Sequence, residues 1–351
     1  MSTFARFSEQ PEAGRLLDAA LREGPAHAYL FHGPPGVGKR EVARTFAREL
    51  LGTTREFHPD LYELDALGEM IRIDAIRELR RDLHMRPFEA DRRVYLIFSA
   101  QLMNEDAFDA LLKDLEEPPP YAVIVLVADD LGPIPETIRS RCQLVPFRRL
   151  SERSIRELVD ARAPQLSDDE KTSLARMAGG RLDRMERLLD SAAVARREAL
   201  IEHARGVYAS PGFDPAEAAA ALIRNASERG DEARELEEAR MAGLELPTRE
   251  ADQRAKRAGR GAEREELLAE LEELAAWYRD LVTVAVGAEG AAMHLDKLDL
   301  LREDARRDRI AGAEGAAEAV RETWRQLEEF NLAPQLALEA LFVRIGRELA
   351  I

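Results

Sequence analysis

Residues Ala28–Lys39 read AYLFHGPPGVGK, and the fold of the N-terminal half turns on this stretch. Ala28–His32 is an apolar run too short for a helix and is read as a buried strand. Gly33-Pro34-Pro35-Gly36 breaks the run with turn-forming residues. From Arg40 to Leu51, Val42, Phe46 and Leu50 recur on one helical face, so a helix follows the turn. Gly33, Gly36, Gly38 and Lys39 fit G-x-x-x-x-G-K, the pattern of a phosphate-cradling loop. Glycines let backbone N–H groups turn toward phosphates, Lys39 would reach the outer phosphates, and the helix N-terminus favours an anion.

Further along, Arg93–Ser99 (RVYLIFS) and Ala122–Ala128 (AVIVLVA) read as two more buried strands, and Leu144–Phe147 as a fourth. A helix over Glu105–Glu117 ends at Pro118-Pro119-Pro120. Strands alternating with helices imply a mostly parallel sheet covered on both faces. Beyond residue 150 the strand signals stop. Helices are expected over Ser151–Val159, with Ser151 as its cap, over Ser167–Ala178 and over Leu182–Ala193. Everything from Pro215 onward reads helical. Ser227–Glu273 is dense in Arg, Glu and Ala. It is read either as an exposed helix laced by i, i+4 ion pairs or as a partly disordered segment.

The 351 residues suggest two or three domains, and a net charge of −16 is unlike a freestanding DNA-binding protein. Any DNA contact therefore has to come from a local patch or from partners. No apolar run reaches the roughly 18 residues of a membrane span. The polar start MSTFARFSEQ does not read as a secretion signal, so a cytoplasmic location is expected. One cysteine, Cys142, excludes an internal disulfide and a cysteine-built zinc site; it is read as a small buried hydrophobe. The six histidines are scattered, and no metal site is expected.

The phosphate loop departs from a hydrolytic one in two places. The position after the lysine should offer a hydroxyl to Mg²⁺ but is Arg40. The strand Val94–Ile97 should end on a metal-holding acid but runs into Phe98-Ser99. Ala122–Ala128, the competing strand, does end at Asp129-Asp130. Two readings stay open: the loop is vestigial, or it holds ATP through Lys39 and the backbone without hydrolysing it.

Several segments carry a resemblance. Asp109–Pro119 (DALLKDLEEPP) is similar to the NALLKTLEEPP signature of the clamp-loader subunits of bacterial DNA polymerase III, an AAA+ family, departing from it at Asp109 and Asp114. Thr137–Cys142 (TIRSRC) resembles that family's TIRSRC segment. Asn331–Glu339 (NLAPQLALE) resembles a segment of the collar domain of its delta-prime branch, and Trp277–Leu281 the start of a helix there.

The resemblance implies an α/β plus all-α protein. A RecA-like AAA+ P-loop domain with a parallel sheet would span 1–148, and a small three-helix lid 149–207. A C-terminal helical collar for oligomerisation would span 208–351, with a long charged helix at about 227–275. It implies a ring with gamma/tau and delta subunits, acting on a sliding clamp and primed DNA. It also implies that Arg141 reaches the ATP site of a neighbour as an arginine finger, with Ser140 shaping the turn. Arginine suits that task because it stays charged and forks onto phosphate oxygens. The family's four-cysteine zinc module is missing: Leu51–His58 is short and cysteine-free. The sensor threonine falls at Ala128 or Asp129, and the lid's sensor arginine at Asp183, with Arg184 adjacent. Arg72, Arg77, Arg80 and Arg81 are candidates for DNA contact or a plain solvated face. The non-hydrolysing reading is set against a working ATPase of the gamma/tau type and against a pure assembly module.

Overall fold

The computed structural model describes residues 9–55, 57–65, 70–241, 248–329 and 332–350. The polar start of the chain up to residue 8, part of the charged stretch (242–247) and Asn331 of the C-terminal motif lie outside the described residues. The chain divides into two compact units, Met1–Ile155 with Ala178–Arg184, and Arg156–Met177 with Met185–Ile351.

The first unit is built on five parallel strands: β1 (Ala28–His32), β2 (Leu61–Leu64), β3 (Arg93–Ile97), β4 (Ala122–Ala128) and β5 (Gln143–Pro146). They lie in the order β2-β3-β4-β1-β5. Every residue of β3 and β4 is buried, as expected of strands covered on both faces. Successive side chains point to opposite faces. Leu30, Tyr95, Ile97, Ile124 and Leu126 share a core with Ile76 and Leu79 of α3 (Ile73–Leu83) and with Phe108 and Leu111 of α4 (Glu105–Glu116). On the other face Tyr29 meets Phe46 of α2 (Lys39–Leu51) edge-on at 5.1 Å between ring centres, and Phe31 meets Phe147 at 5.5 Å. Also in this unit are α1 (Pro11–Glu23) and the single turn α5 (Glu136–Arg139). Asn104 caps α4 by accepting a hydrogen bond from Ala107 N at 3.1 Å.

The α/β assignment thus stands, with one strand added. Leu61–Leu64 escaped the sequence reading because it is a short edge strand, mostly half-exposed, with Glu63 facing Arg44 at 2.9 Å.

Three short helices come next: α6 (Glu152–Arg162), α7 (Asp168–Ala178) and α8 (Leu182–Leu188). Ser151 caps the first, accepting from Ser154 N at 3.1 Å. Ser167 and Glu170 form a reciprocal capping box on the second, at 3.2 and 2.7 Å. The expected helix Leu182–Ala193 is broken. α8 stops at Leu188, and α9 (Ser191–Ala209) starts afresh with Asp190 accepting from Ala192 N.

The remaining helices are α10 (Pro215–Met241), α11 (Thr248–Ala285), α12 (Leu298–Asp304), α13 (Ile310–Glu329) and α14 (Pro334–Leu349). The described parts of the charged stretch are helical and belong to two helices, α10 and α11, which pack on each other. They approach closely at Gly230 and Gly259, where a Cβ on either would stand 3.0 Å from the other's carbonyl oxygen. Ion pairs one turn apart lace the exposed faces, Arg234–Glu238 at 3.0 Å and Lys256–Asp252 at 2.9 Å. Trp277–Leu281, expected at a helix start, lies well inside α11. Trp277 and Tyr278 are buried among Leu281, Leu338, Phe342 and Ile345 because they anchor the helical core. Trp277 donates to the Tyr208 hydroxyl at 3.2 Å, and Tyr278 to the Ala204 carbonyl at 3.1 Å.

A polar knot lies under this core. His294 is fully buried between Asp280 at 2.8 Å and Glu273 at 2.9 Å. Glu273 also accepts from Arg197 Nε at 2.8 Å, and Arg197 forks onto Asp296 at 2.7 and 3.0 Å. Asp280 accepts from the backbone N–H groups of Met293 and His294, both at 2.8 Å. Burial alone lowers the His294 pKa, but the Glu273 charge and the hydrogen bonds to Asp280 and Glu273 outweigh it and bring it to about 9. Burial alone would raise Glu273; the His294 and Arg197 charges instead hold it well below the usual carboxylate range.

Candidate phosphate-loop site and surface arginine

The sequence Gly33–Lys39 forms the turn from β1 into α2, at the carboxyl ends of the parallel strands, where open α/β sheets bind ligands. Gly33, Gly36 and Gly38 all have positive φ, at 138°, 72° and 89°, conformations that a side chain would strain. Gly36 has a second reason to be glycine: a Cβ there would stand 2.0 Å from Asp183 Oδ1. Its carbonyl also accepts from Leu182 N at 2.7 Å, so the start of α8 is pinned on the loop.

Lys39 is 4% exposed, and its ammonium reaches three oxygens: Gly33 O at 2.7 Å, Pro34 O at 2.5 Å and Asp129 Oδ1 at 2.7 Å. An ammonium has three donors, and three partners satisfy it. Burial lowers the Lys39 pKa, and the Asp129 hydrogen bond works against that shift. Strand register explains the partner. His32 pairs with Ala128, which sets Asp129 beside Gly33. The acid at the end of β4 therefore neutralises the loop lysine.

Arg40 occupies the position where the sequence lacks a metal-holding hydroxyl. Its guanidinium forks onto Asp65 at 2.5 and 3.1 Å and donates to Ser99 Oγ at 2.9 Å. The Phe98 ring lies beneath it at 4.8 Å. Register again sets the geometry: Leu64 pairs with Ile97, so Asp65 follows β2 just where Phe98-Ser99 follows β3. Ser99 is the only non-glycine with positive φ among the described residues, at 53°, and its Oγ lies 3.3 Å from Asp65 Oδ1. A fixed cation, an acid and a hydroxyl thus meet beside the loop. Asp65 was not singled out from the sequence, and only the strand pairing reveals it. No group of three or more His, Cys, Asp or Glu that could hold a metal occurs among the described residues.

Arg141 is not part of this cluster. It sits between α5 and β5, and Gln143 of β5 pairs with Tyr29, near the start of β1. The phosphate loop leaves the other end of β1. At about 3.3 Å per residue, the strand holds Arg141 on the order of 15 Å from its own loop along the sheet. The guanidinium donates to Thr137 O at 2.9 Å and to Glu116 at 2.6 Å, with its side chain 34% exposed. Ser140 Oγ donates to Thr137 O at 3.2 Å, which fits a turn-shaping residue. Cys142 packs against the core, and burial pushes its thiol up to about 12, far from a reactive thiolate.

On α3, Arg77, Arg80, Arg81 and the following His84 line a cavity of about 420 Å³. Arg72 lies at the N-cap of the same helix. Asp114, a departure noted in the sequence, is buried and holds both Arg80 and His84, the latter at 3.1 Å.

Sheet order, loop geometry and helical remainder define a parallel α/β domain of the P-loop kind followed by an all-α region. Residues 9–151 match the family described as DNA polymerase III, delta subunit. DNA polymerase III subunit tau of Bacillus subtilis is 32% identical over 198 residues, covering 50% of this chain and 35% of that one. Subunit gamma of Buchnera aphidicola is 35% identical over 146 residues, covering 37% of this chain and 40% of that one. The chain thus spans well under half the length of these relatives. Among solved structures, a DNA polymerase III gamma subunit-related protein from Thermotoga maritima aligns over 97% of this chain and all of its own, at 20% identity and a TM-score of 0.45. In sequence, the N-terminal part of the chain is thus similar to DNA polymerase III subunits of the delta and gamma/tau kinds. No described helix is long and apolar enough to cross a membrane.

Proposed function

We propose that this chain is a delta-prime-type subunit of a cytoplasmic clamp loader. It is a stator that does not hydrolyse ATP and that supplies Arg141 to the ATP site of a neighbouring gamma/tau-type subunit. One observation carries the reading: Arg40, paired with Asp65, stands at the position after Lys39 where a metal-holding hydroxyl would be needed, while Arg141 lies toward the far end of the strands, partly exposed. Two positive charges would compete for the Mg²⁺ position, and without the metal phosphoryl transfer loses its main electrostatic support. In this proposal the residues of the lid (149–207) and collar (208–351) hold the ring with gamma/tau and delta partners. The complex acts on a sliding clamp and primed DNA.

Lys39 and the loop glycines fit a triphosphate in type, but Asp129 and Asp183 already put carboxylates there. Like charges repel, so bound nucleotide would have to displace Asp129 from Lys39. The purified chain alone is expected to show no ATP turnover above a Lys39→Ala control in a steady-state phosphate-release assay. Turnover at about 1 s⁻¹ or more, an ordinary enzymatic rate, would instead establish the second reading, a working gamma/tau-type ATPase. That reading is favoured by the gamma/tau relatives and opposed by Arg40.

The arginine-lined cavity on α3 suits a phosphate backbone, a local basic patch on an acidic chain. In the assembled complex, Arg77→Glu with Arg81→Glu is expected to weaken primed-DNA binding and to flatten its salt dependence by a log–log slope of about 2. Binding curves unchanged between 50 and 200 mM salt would leave this face as solvated surface.

A further inference from the structure

Glu116 is the last residue of α4, immediately before Glu117-Pro118-Pro119, and it is the ion-pair partner of Arg141 at 2.6 Å. The same guanidinium is held from the other side by Thr137 O at 2.9 Å and Ser140 Oγ at 3.4 Å. α4 packs on α5, and Leu111 and Leu115 root it in the sheet core, so its carboxylate is presented from a rigid element. An exposed arginine otherwise samples many rotamers, and those must be lost when it inserts beside a phosphate. An exposed ion pair contributes little to folding stability, so stability does not explain a bracket of this kind.

We infer that Glu116 is a positioning residue for Arg141, which fixes the guanidinium in the rotamer that reaches a neighbour's nucleotide. The inference rests on the trans-arginine reading above. Held between α4 and the α5 turn, Arg141 presents a preset fork with most of its rotamer freedom already removed. Glu116 touches no nucleotide; it acts through Arg141. Its loss should therefore slow the chemical step without altering how the neighbour binds ATP. A neutral side chain that can still accept the hydrogen bond should largely restore the rate.

The test uses the full complex, with this chain reconstituted alongside its ATPase and remaining ring subunits and assembly checked by size-exclusion chromatography. Glu116→Ala should lower clamp- and DNA-stimulated kcat by about tenfold, in keeping with the sensitivity of rate to small misplacements. KM for ATP should be unchanged, and Glu116→Gln should return kcat to within about threefold of the unsubstituted protein. Arg141→Ala is measured beside them. If Arg141→Ala is slow while Glu116→Ala is as fast as the unsubstituted protein or faster, the positioning role is overturned and the trans arginine stands. If Arg141→Ala is itself unimpaired, both fall.

Discussion

Replacing Arg141 with alanine in a reconstituted complex is expected to lower DNA- and clamp-stimulated ATP turnover by about 10³-fold, the low end of what arginine fingers contribute in well-studied GTPases. The ring should still assemble, because Arg141 lies on the surface turn before β5 and its ion pair with Glu116 is partly exposed. Negative charge develops toward the transition state on the oxygens at the breaking phosphate bond, and a guanidinium offers two parallel donors there. Lysine keeps the charge but loses the fork, so Arg141→Lys should recover little. The measurement is kcat at saturating ATP, clamp and primed DNA. A rate within twofold of the unsubstituted complex would reduce this chain to an architectural subunit.

The second large effect concerns stability. His294→Ala should destabilise the helical unit by about 3 kcal/mol, since removing one member of a buried ion network leaves charges without compensation. Both tryptophans, Trp277 and Trp324, lie in that unit, so fluorescence-detected urea unfolding reads it selectively. The pH dependence has a defined sign. The folded pKa of His294 is raised to about 9 from an ordinary 6.5, so its contribution is complete below 6.5 and is lost as pH rises through 9. Glu273 is shifted the other way, so its contribution is present above the ordinary 4.5 and is lost as the solution is acidified. The gap between the unsubstituted protein and His294→Ala should therefore be widest near pH 6 and shrink toward pH 10. A gap that stays constant from pH 6 to 10 would show that His294 is not held protonated by its neighbours.

Much of the architecture is legible from local pattern. The runs AYLFH, RVYLI and AVIVLVA are continuous because those strands are buried on both faces, and the structure pairs all three. What local pattern missed depends on long-range pairing. β2 is half-exposed and short, so its period is weak. α10 ends at Met241 and α11 begins at Thr248; Gly243 and Pro247 are break signals in the intervening sequence, but the uninterrupted charge pattern on either side masks them. At the loop, the glycines, Lys39 and the anomaly of Arg40 are plain in the sequence. Their partners Asp65, Asp129 and Asp183 come from other parts of the chain; register sets Asp129 beside Gly33 and Asp65 beside Phe98-Ser99. Asp114, only a deviation in a motif, acquires a cause once Arg80 and His84 are seen on either side of it.

The Arg40–Asp65 pair has one more consequence. A magnesium ion is borrowed from solution: it leaves with its nucleotide, competes with chelators and follows the energy state of the cell. A guanidinium carried on α2 does none of these things. It is charged at every physiological pH and arrives with translation. The cation beside this loop is therefore a constant of the polypeptide, balanced by its own Asp65 and inherited rather than recruited.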